Sequence, residues 1–344
     1  MPNCILVTGA TGFLGPWVVE RLMLYGLAHI RCLIRPSSDI SRLEALRRRY
    51  PQTTLEYVEG SLASDASLTD ALAGVSHVFH LAAGMRGRPA DMYLNTVVGS
   101  KRLLQALTSN SEPVRVVLVS SFSVYGVADL PRNAKIDENT PLETHPEKRD
   151  VYAQTKLRQE LLFREWQPSN NSETVVVRPG VIHGPGGGAF SVRVGLQLPG
   201  VFLHLGGNNQ LPLSYVENCA EAIVIAGMHP DSAGQVYNVH DDQLLSARQY
   251  LSAYRRSVKN IRRVRVPYWV TRRLSGLIEH YHLKSRGQIP AVLTPYRTAS
   301  AWKPQRFDNS KLKQLGWRQL VPTEEALRRT FEYLAGNVNR VAEI

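Results

Sequence analysis

The amino-acid sequence predicts an α/β fold, a doubly wound parallel sheet carrying a smaller C-terminal lobe, and three observations support it. An apolar run, Cys4-Ile5-Leu6-Val7, enters Thr8-Gly9-Ala10-Thr11-Gly12-Phe13-Leu14-Gly15, and Pro16 to Leu22 follows with helical spacing, so the chain opens as strand, glycine turn, helix. Strand-like runs then alternate with helical segments of about ten residues until near residue 180, the pattern of consecutive βαβ units. Runs such as Val114 to Val119 are continuously apolar rather than alternating, as strands buried on both faces require.

Taken in order, Ile30 to Arg35 is the second strand, followed by a helix near Ile40 to Tyr50, a third strand from Leu55 to Gly60 and a short helix from Ala66 to Ala73. The fourth strand lies around Val78-Phe79-His80-Leu81. A long helix is predicted from about Asp91 to Ser109, then the fifth strand, a helix from Val151 to Trp166 and a strand from Glu173 to Val177. Gly184-Pro185-Gly186-Gly187-Gly188 reads as loop, Tyr215 to Met228 as helix and Val236 to Val239 as a short strand. The remainder consists of basic helices and loops without regular alternation.

Composition bounds the function. The chain is 43% hydrophobic, enough for a packed interior, and has no apolar run of membrane-spanning length. The first strand begins near residue 3, which leaves no space for a leader ahead of it, so a cytoplasmic location is expected. Cys4, Cys32 and Cys219 lack metal-ligand spacing and read as buried thiols, with no metal site expected. The net charge of +12 is uneven: residues 251–320 hold sixteen Lys and Arg against Glu279 and Asp308. No nucleic-acid motif occurs there, so the segment is either a solvated basic face or a surface for an anionic partner.

The glycine turn has a specific physical use. A pyrophosphate seated at a helix N-terminus must approach the backbone closely, with Gly9 allowing the tight turn, Gly12 the close approach and Gly15 the packing of helix on strand. Thr8 and Thr11 can add hydroxyl contacts. At the end of the second strand, an acidic residue would select NAD and a basic one the 2′-phosphate of NADP; the residue is Arg35, with Ser37 and Ser38 beside it. NADP(H) is therefore the expected cofactor, the alternatives for Arg35 being a surface charge or a pairing with Asp39. Residues 1–182, joined by 213–240, are assigned to the dinucleotide-binding domain, and 183–212 with 241–344 to a substrate lobe.

Tyr152 and Lys156 stand at i,i+4 spacing at the start of the helix after the fifth strand, on one face. A fixed cation beside a phenol stabilises the phenolate and suits it to proton exchange near neutral pH. Ser120-Ser121-Phe122-Ser123 lies at the carboxyl end of the fifth strand, where open α/β sheets bind ligands, and a serine there can hold a substrate oxygen. This is the apparatus of hydride transfer between a nicotinamide and a carbonyl.

These residues, with His80-Leu81-Ala82-Ala83, Asn95 and Gly99, Tyr125-Gly126, and Arg178-Pro179-Gly180 before Gly184-Pro185, resemble the extended short-chain dehydrogenase/reductase superfamily, nearest in pattern to dihydroflavonol reductase and 3-beta-hydroxysteroid dehydrogenase types. The resemblance implies Tyr152 as acid/base, Lys156 as its activator and ribose ligand, and Ser121 as donor to the substrate oxygen. It further implies that Gly9, Thr11, Gly12, Phe13, Leu14, Arg35, Ser61, Leu62, Leu81, Ala82, Ala83, Pro179, Gly180, Val181 and Ile182 meet the cofactor. Ser61 stands where the family usually has an aspartate. Phe307 to Lys311 and Leu315-Gly316-Trp317 resemble the family's C-terminal lobe, and a homodimer through the helices near 91–109 and 151–166 is implied as well.

Nucleotide-sugar members of that superfamily usually carry an asparagine two positions after the arginine of the sixth strand, where this chain has Gly180. The expected reaction is therefore ketone reduction or secondary-alcohol oxidation on a mainly apolar or ring-containing small molecule. A nucleotide-sugar epimerase or dehydratase and a non-catalytic NADP(H) sensor are the alternatives. Phe122, Phe190, Tyr268 and Trp269 are candidate pocket residues, and Arg86 and Arg88 candidate anion contacts. The segment Pro267 to Ile278 mixes aromatic, aliphatic and cationic residues and is either a lobe helix packed on the sheet or a weak membrane-surface contact.

Overall fold

The computed structural model describes residues 4–85, 87–110, 112–167, 172–285 and 293–342. β1 (Cys4–Thr8), α1 (Gly15–Leu24), β2 (His29–Ile34), α2 (Ser41–Arg49), β3 (Thr54–Glu59), α3 (Asp65–Leu72) and β4 (Val75–His80) alternate as expected. They continue through α4 (Pro89–Tyr93), α5 (Gly99–Thr108), β5 (Arg115–Val119), β6 (Ala134–Ile136), α6 (Val151–Trp166) and β7 (Glu173–Pro179). Next come β8 (Val181–His183), β9 (Gly195–Leu198), β10 (Val201–His204), β11 (Leu213–Tyr215), α7 (Val216–Met228) and β12 (Val236–Val239). The chain ends with α8 (Ala247–Ser257), β13 (Arg263–Arg265), α9 (Tyr268–Lys284), α10 (Pro295–Trp302), β14 (Gln305–Phe307), α11 (Ser310–Gln314) and α12 (Thr323–Ala342).

Seven strands pair in the order β12-β7-β5-β4-β1-β2-β3, every neighbour parallel. In register, Val7 lies between Cys32 and Phe79, all fully buried, which is why these strands read as unbroken apolar runs. One face is sealed by α1 and α7 through Val18, Leu22 and Ile223, the other by α3, α5 and α6 through Leu68, Leu103 and Phe163. The order reverses between β1 and β4, so a crevice opens at their carboxyl ends, and the functional residues gather there.

The predicted helix over 91–109 is not continuous. A π-helical turn, Leu94–Val98, separates α4 from α5, and the side chains that hold it are local: Asn95 donates to the Asp91 carbonyl at 2.7 Å and Thr96 accepts from the Gly84 amide at 2.8 Å. Beyond the sheet, β13-β10-β9 form a small sheet over which Phe190 packs on Phe202 and Tyr254, with ring centres 4.7 and 4.4 Å apart. Phe190 is thus lobe core and not a pocket residue. β8 pairs with β11, and β14 reaches back to β6, tying the lobe across the crevice.

Candidate active site

The glycine turn closes with a hydrogen bond from the Gly12 amide to the Gly9 carbonyl at 3.0 Å. Gly9 has φ +74°, and a Cβ there would stand 2.8 Å from the Ala82 amide nitrogen, so both conformation and the passage of the chain just after β4 demand glycine. A Cβ on Gly15 would overlap the Ala10 carbonyl. At Gly12 a Cβ would meet only the Gly9 oxygen, at 3.2 Å among the described residues, and would otherwise project into the crevice. The turn is therefore a cradle that a side chain would fill, and it fits a phosphate group lying on the amides at the start of α1.

The crevice is a cavity of about 1110 Å³. It is lined by Gly9, Thr11, Gly12, Phe13 and Leu14 from the turn, Arg35 and Ser61-Leu62 from the ends of β2 and β3, Leu81-Ala82-Ala83 after β4, Ser121 after β5, Tyr152 and Lys156 on α6, and Pro179 to Ile182 between β7 and β8. Six separate strand ends and the start of α6 thus bring together the residues that the resemblance places at the cofactor and the reaction centre. Thr8 is an exception in role: its hydroxyl is buried and bonded to His80 Nδ1 at 2.7 Å, so it holds β1 to β4 instead of facing a ligand. Ser61 Oγ accepts from the Ala63 amide at 3.1 Å, which fixes it at the rim.

Asp150 caps α6, accepting from the Ala153 amide at 3.1 Å, and so presents Tyr152 in the first turn, where it lines the cavity together with Ser121. Lys156 is buried one turn deeper; its ammonium donates to the Val119 carbonyl at 2.7 Å and to Gln159 Oε1 at 2.5 Å. Burial holds the Lys156 ammonium down to about 7, the Glu160 carboxylate acting in the opposite direction. Here the structure departs from expectation. Burial raises the Tyr152 phenol above its ordinary value, with the Ser121 hydroxyl lowering and Asp150 raising it, while Lys156 is engaged by Val119 and Gln159.

Beneath these groups run two buried polar networks that sequence reasoning missed. In one, Gln159 links Lys156 to Ser100 Oγ at 2.8 Å and approaches His80 Nε2 at 3.2 Å, so that the glycine turn, β4, α5 and α6 share one chain of hydrogen bonds. His80 is wholly buried and held near 3, by burial first and by the Lys156 charge second. In the other, Arg178 Nη2 donates to Glu160 Oε1 at 2.5 Å and Nη1 to the Tyr125 hydroxyl at 2.8 Å, while Tyr125 donates to Asn238 at 2.6 Å. The signal was present in Tyr125-Gly126 and Arg178-Pro179, but only as a resemblance without a mechanism.

On the opposite wall stand Phe122, Val192, Leu196, Leu293 and Trp302. Arg193 also lines this wall, 6.0 Å from the Phe307 ring centre, and its guanidinium makes no hydrogen bond or ion pair with the described residues. Of the expected pocket aromatics Phe122 is present; Tyr268 lies under Arg132 and Trp269 is 64% exposed, both outside the cavity. Arg88 is an exposed residue ahead of α4, away from the lining, and Arg86 lies outside the described residues. Cys4, His29 and Glu56 approach one another at the far end of the sheet, where Glu56 accepts from Arg31 at 2.9 Å.

A phosphate cradle at the switch point of a parallel sheet, with serine, tyrosine and lysine converging above it and a lobe closing the far side, defines an enzyme of the extended short-chain dehydrogenase/reductase class. Residues 5–239 match the NAD dependent epimerase/dehydratase family, to which the chain belongs. It is 26% identical to a 3beta-hydroxysteroid-dehydrogenase/decarboxylase of Arabidopsis thaliana, over 95% of this chain and 78% of that protein. It is 24% identical to a trifunctional UDP-glucose 4,6-dehydratase/UDP-4-keto-6-deoxy-D-glucose 3,5-epimerase/UDP-4-keto-L-rhamnose-reductase of the same plant, over 98% of this chain but 48% of that protein. The fold is shared with the crystal structure of gox2253, at TM-score 0.78 and 22% identity over 97% of this chain and 98% of that one.

Proposed function

We propose that the protein is an NADP(H)-dependent oxidoreductase that interconverts a ketone and a secondary alcohol on a mainly apolar or ring-containing small molecule. The observation that carries this reading is Gly180. A Cβ there would overlap the Pro212 carbonyl oxygen, so the backbone of β8 and the segment before β11 leaves no space for the asparagine usual in nucleotide-sugar members. The wall formed by Phe122, Val192, Leu196, Leu293 and Trp302 supports an apolar substrate.

The residues divide the work as follows. The turn and the first amides of α1 hold the pyrophosphate, and Arg35, which has no ion-pair partner among the described residues, receives the 2′-phosphate. Asp39, the alternative partner for Arg35, instead accepts from the Ser41 amide at 2.9 Å. A bound nicotinamide supplies or accepts the hydride. Ser121 holds the substrate oxygen, Tyr152 gives it a proton or takes one from it, and Lys156 anchors a ribose hydroxyl. The exposed side chains Tyr93 and Val98 on the α4–α5 face support the homodimer implied by the family resemblance.

The test is NADPH oxidation with a panel of cyclic and aromatic ketones, comparing the wild type with Tyr152→Phe. Turnover of a ketone that falls by a factor on the order of 10²–10⁴ in the variant, with NADPH binding retained, is expected. Full activity in the variant, or turnover confined to UDP-sugars, refutes the reading.

A further inference from the structure

Helix α9 is amphipathic in the wrong sense for a helix that packs only on its own protein. Its buried positions are the small polar residues Thr271 and Ser275, at 4% and 0% exposure, whose hydroxyls are satisfied by the carbonyls of Pro267 and Arg272. Its outward positions carry large apolar groups: Trp269 at 64%, Leu274 at 49%, Leu277 at 57% and Tyr281 at 55% exposure. Val264, on the edge strand β13 just before it, is 50% exposed. A solvated helix would show the reverse arrangement, so the apolar stripe is offered to something outside the fold.

The charges identify what. Arg262, Arg263, Arg265, Arg272, Arg273 and Lys284 are all exposed, and none forms an ion pair among the described residues. Between residues 262 and 284 the sole carboxylate is Glu279. Aromatic and aliphatic side chains flanked by unpaired arginines match the interfacial region of an anionic bilayer, where rings sit at headgroup level and guanidinium groups meet phosphates. A second copy of the chain is a poor occupant, because a two-fold contact would bring these arginines against their own images.

We propose that α9 and β13 form a docking face for an anionic phospholipid surface. The placement also has a consequence for the cavity. α9 packs on α10, and α10 roofs the cavity through Arg297, Ser300, Ala301 and Trp302, so a docked protein turns that roof toward the bilayer. This docking face stands on exposure and charge, and does not depend on the proposed reaction.

The test is co-sedimentation of the full chain with vesicles of phosphatidylcholine alone and with about 30% phosphatidylglycerol, at low salt and at about 0.5 M salt, where screening is nearly complete. Binding to the anionic vesicles only, released by salt, is expected. Trp269→Ala with Leu277→Ala should weaken it at least about tenfold, and Arg272→Glu with Arg273→Glu should abolish it, while circular dichroism and NADPH binding stay as in the wild type. The proposal is overturned if the wild type stays in the supernatant with anionic vesicles, or if both variants bind as well as it does. It is equally overturned if light scattering shows the apolar variant converting a dimer to a monomer without any vesicle binding, which would make the face a contact between copies.

Discussion

Ser120 and Ser121 are neighbours in sequence but serve opposite sides of the active-site floor: Ser120 donates to the buried Glu160 carboxylate at 2.6 Å, whereas Ser121 lines the cavity with Tyr152 and accepts from the Ser123 amide at 3.1 Å. Extended backbone at Ser121, φ −163°, turns the two side chains apart. Ser121→Ala should therefore lower turnover by about 10–10³-fold, as loss of one donor to a reacting oxygen does, with a stability loss of only about 0.5–1 kcal/mol from the cap its Oγ gives the Ser123 amide at 3.1 Å. Ser120→Ala should do the reverse, leaving kinetics near wild type and lowering unfolding free energy by about 1–3 kcal/mol, because Glu160 loses a buried donor. Steady-state kinetics and urea melts of the pair separate the roles; equal kinetic defects would refute the assignment.

Under the proposed reading, Arg35 selects NADP(H) over NAD(H). Its side chain is exposed at the cavity rim with Ser38 beside it. Arg35→Glu should weaken NADPH by about 10–100-fold, the loss of a charge-assisted contact to a phosphate, and leave NADH unchanged or improved. Fluorescence titration of both cofactors measures it, and an unchanged NADPH affinity shows that the 2′-phosphate is held elsewhere.

Gln159 is a positioning residue for Lys156. Because burial holds the ammonium near 7, it is charged below that pH and neutral above, so NADPH affinity should decline as pH rises through about 7. Gln159→Glu places an anion 2.5 Å from the same nitrogen and should move this decline to higher pH by about one unit or more. A pH series of NADPH titrations on both proteins tests it. An unshifted profile would mean that a different group controls binding.

Sequence and structure agree wherever one segment contains the whole signal. Gly9, Gly12 and Gly15 occupy consecutive parts of one turn, and Tyr152 and Lys156 sit one helical turn apart, so periodicity alone places them. The networks around Gln159 and Glu160 were illegible for the opposite reason: Gln159 meets His80 across 79 positions and Tyr125 meets Asn238 across 113, and no local pattern marks a residue whose partners are assigned by sheet order. The break in the 91–109 helix was missed because Thr96 receives its decisive hydrogen bond from Gly84, outside the helix. Tyr268 and Trp269 suggested a pocket because aromatic residues are pocket-like in composition, yet α9 turns Trp269 outward.

His80 couples the site to acid stability, and the sign follows from its burial. In the unfolded chain its imidazole titrates near the ordinary value of 6.5; in the fold, burial and then the Lys156 charge hold it near 3. The unfolded state therefore takes up a proton over pH 3 to 6.5 that the native state refuses, so the stabilisation is complete above 6.5 and is lost progressively as pH falls toward 3. The slope from this one group approaches about 1.4 kcal/mol per pH unit in the middle of that range. Partners facing the ring are Thr8 from β1, Ser100 from α5, Gln159 and Lys156 from α6, with Phe163 stacked at 5.7 Å, and none supplies a carboxylate to rescue the charged form. Replacing it, His80→Gln, lowers stability at pH 7 through lost packing and hydrogen bonds, but it also removes the titrating group. Urea unfolding at pH 7, 6 and 5 should thus show a shallower decline in the variant than in the wild type, and parallel declines would mean that the acid sensitivity originates at other residues.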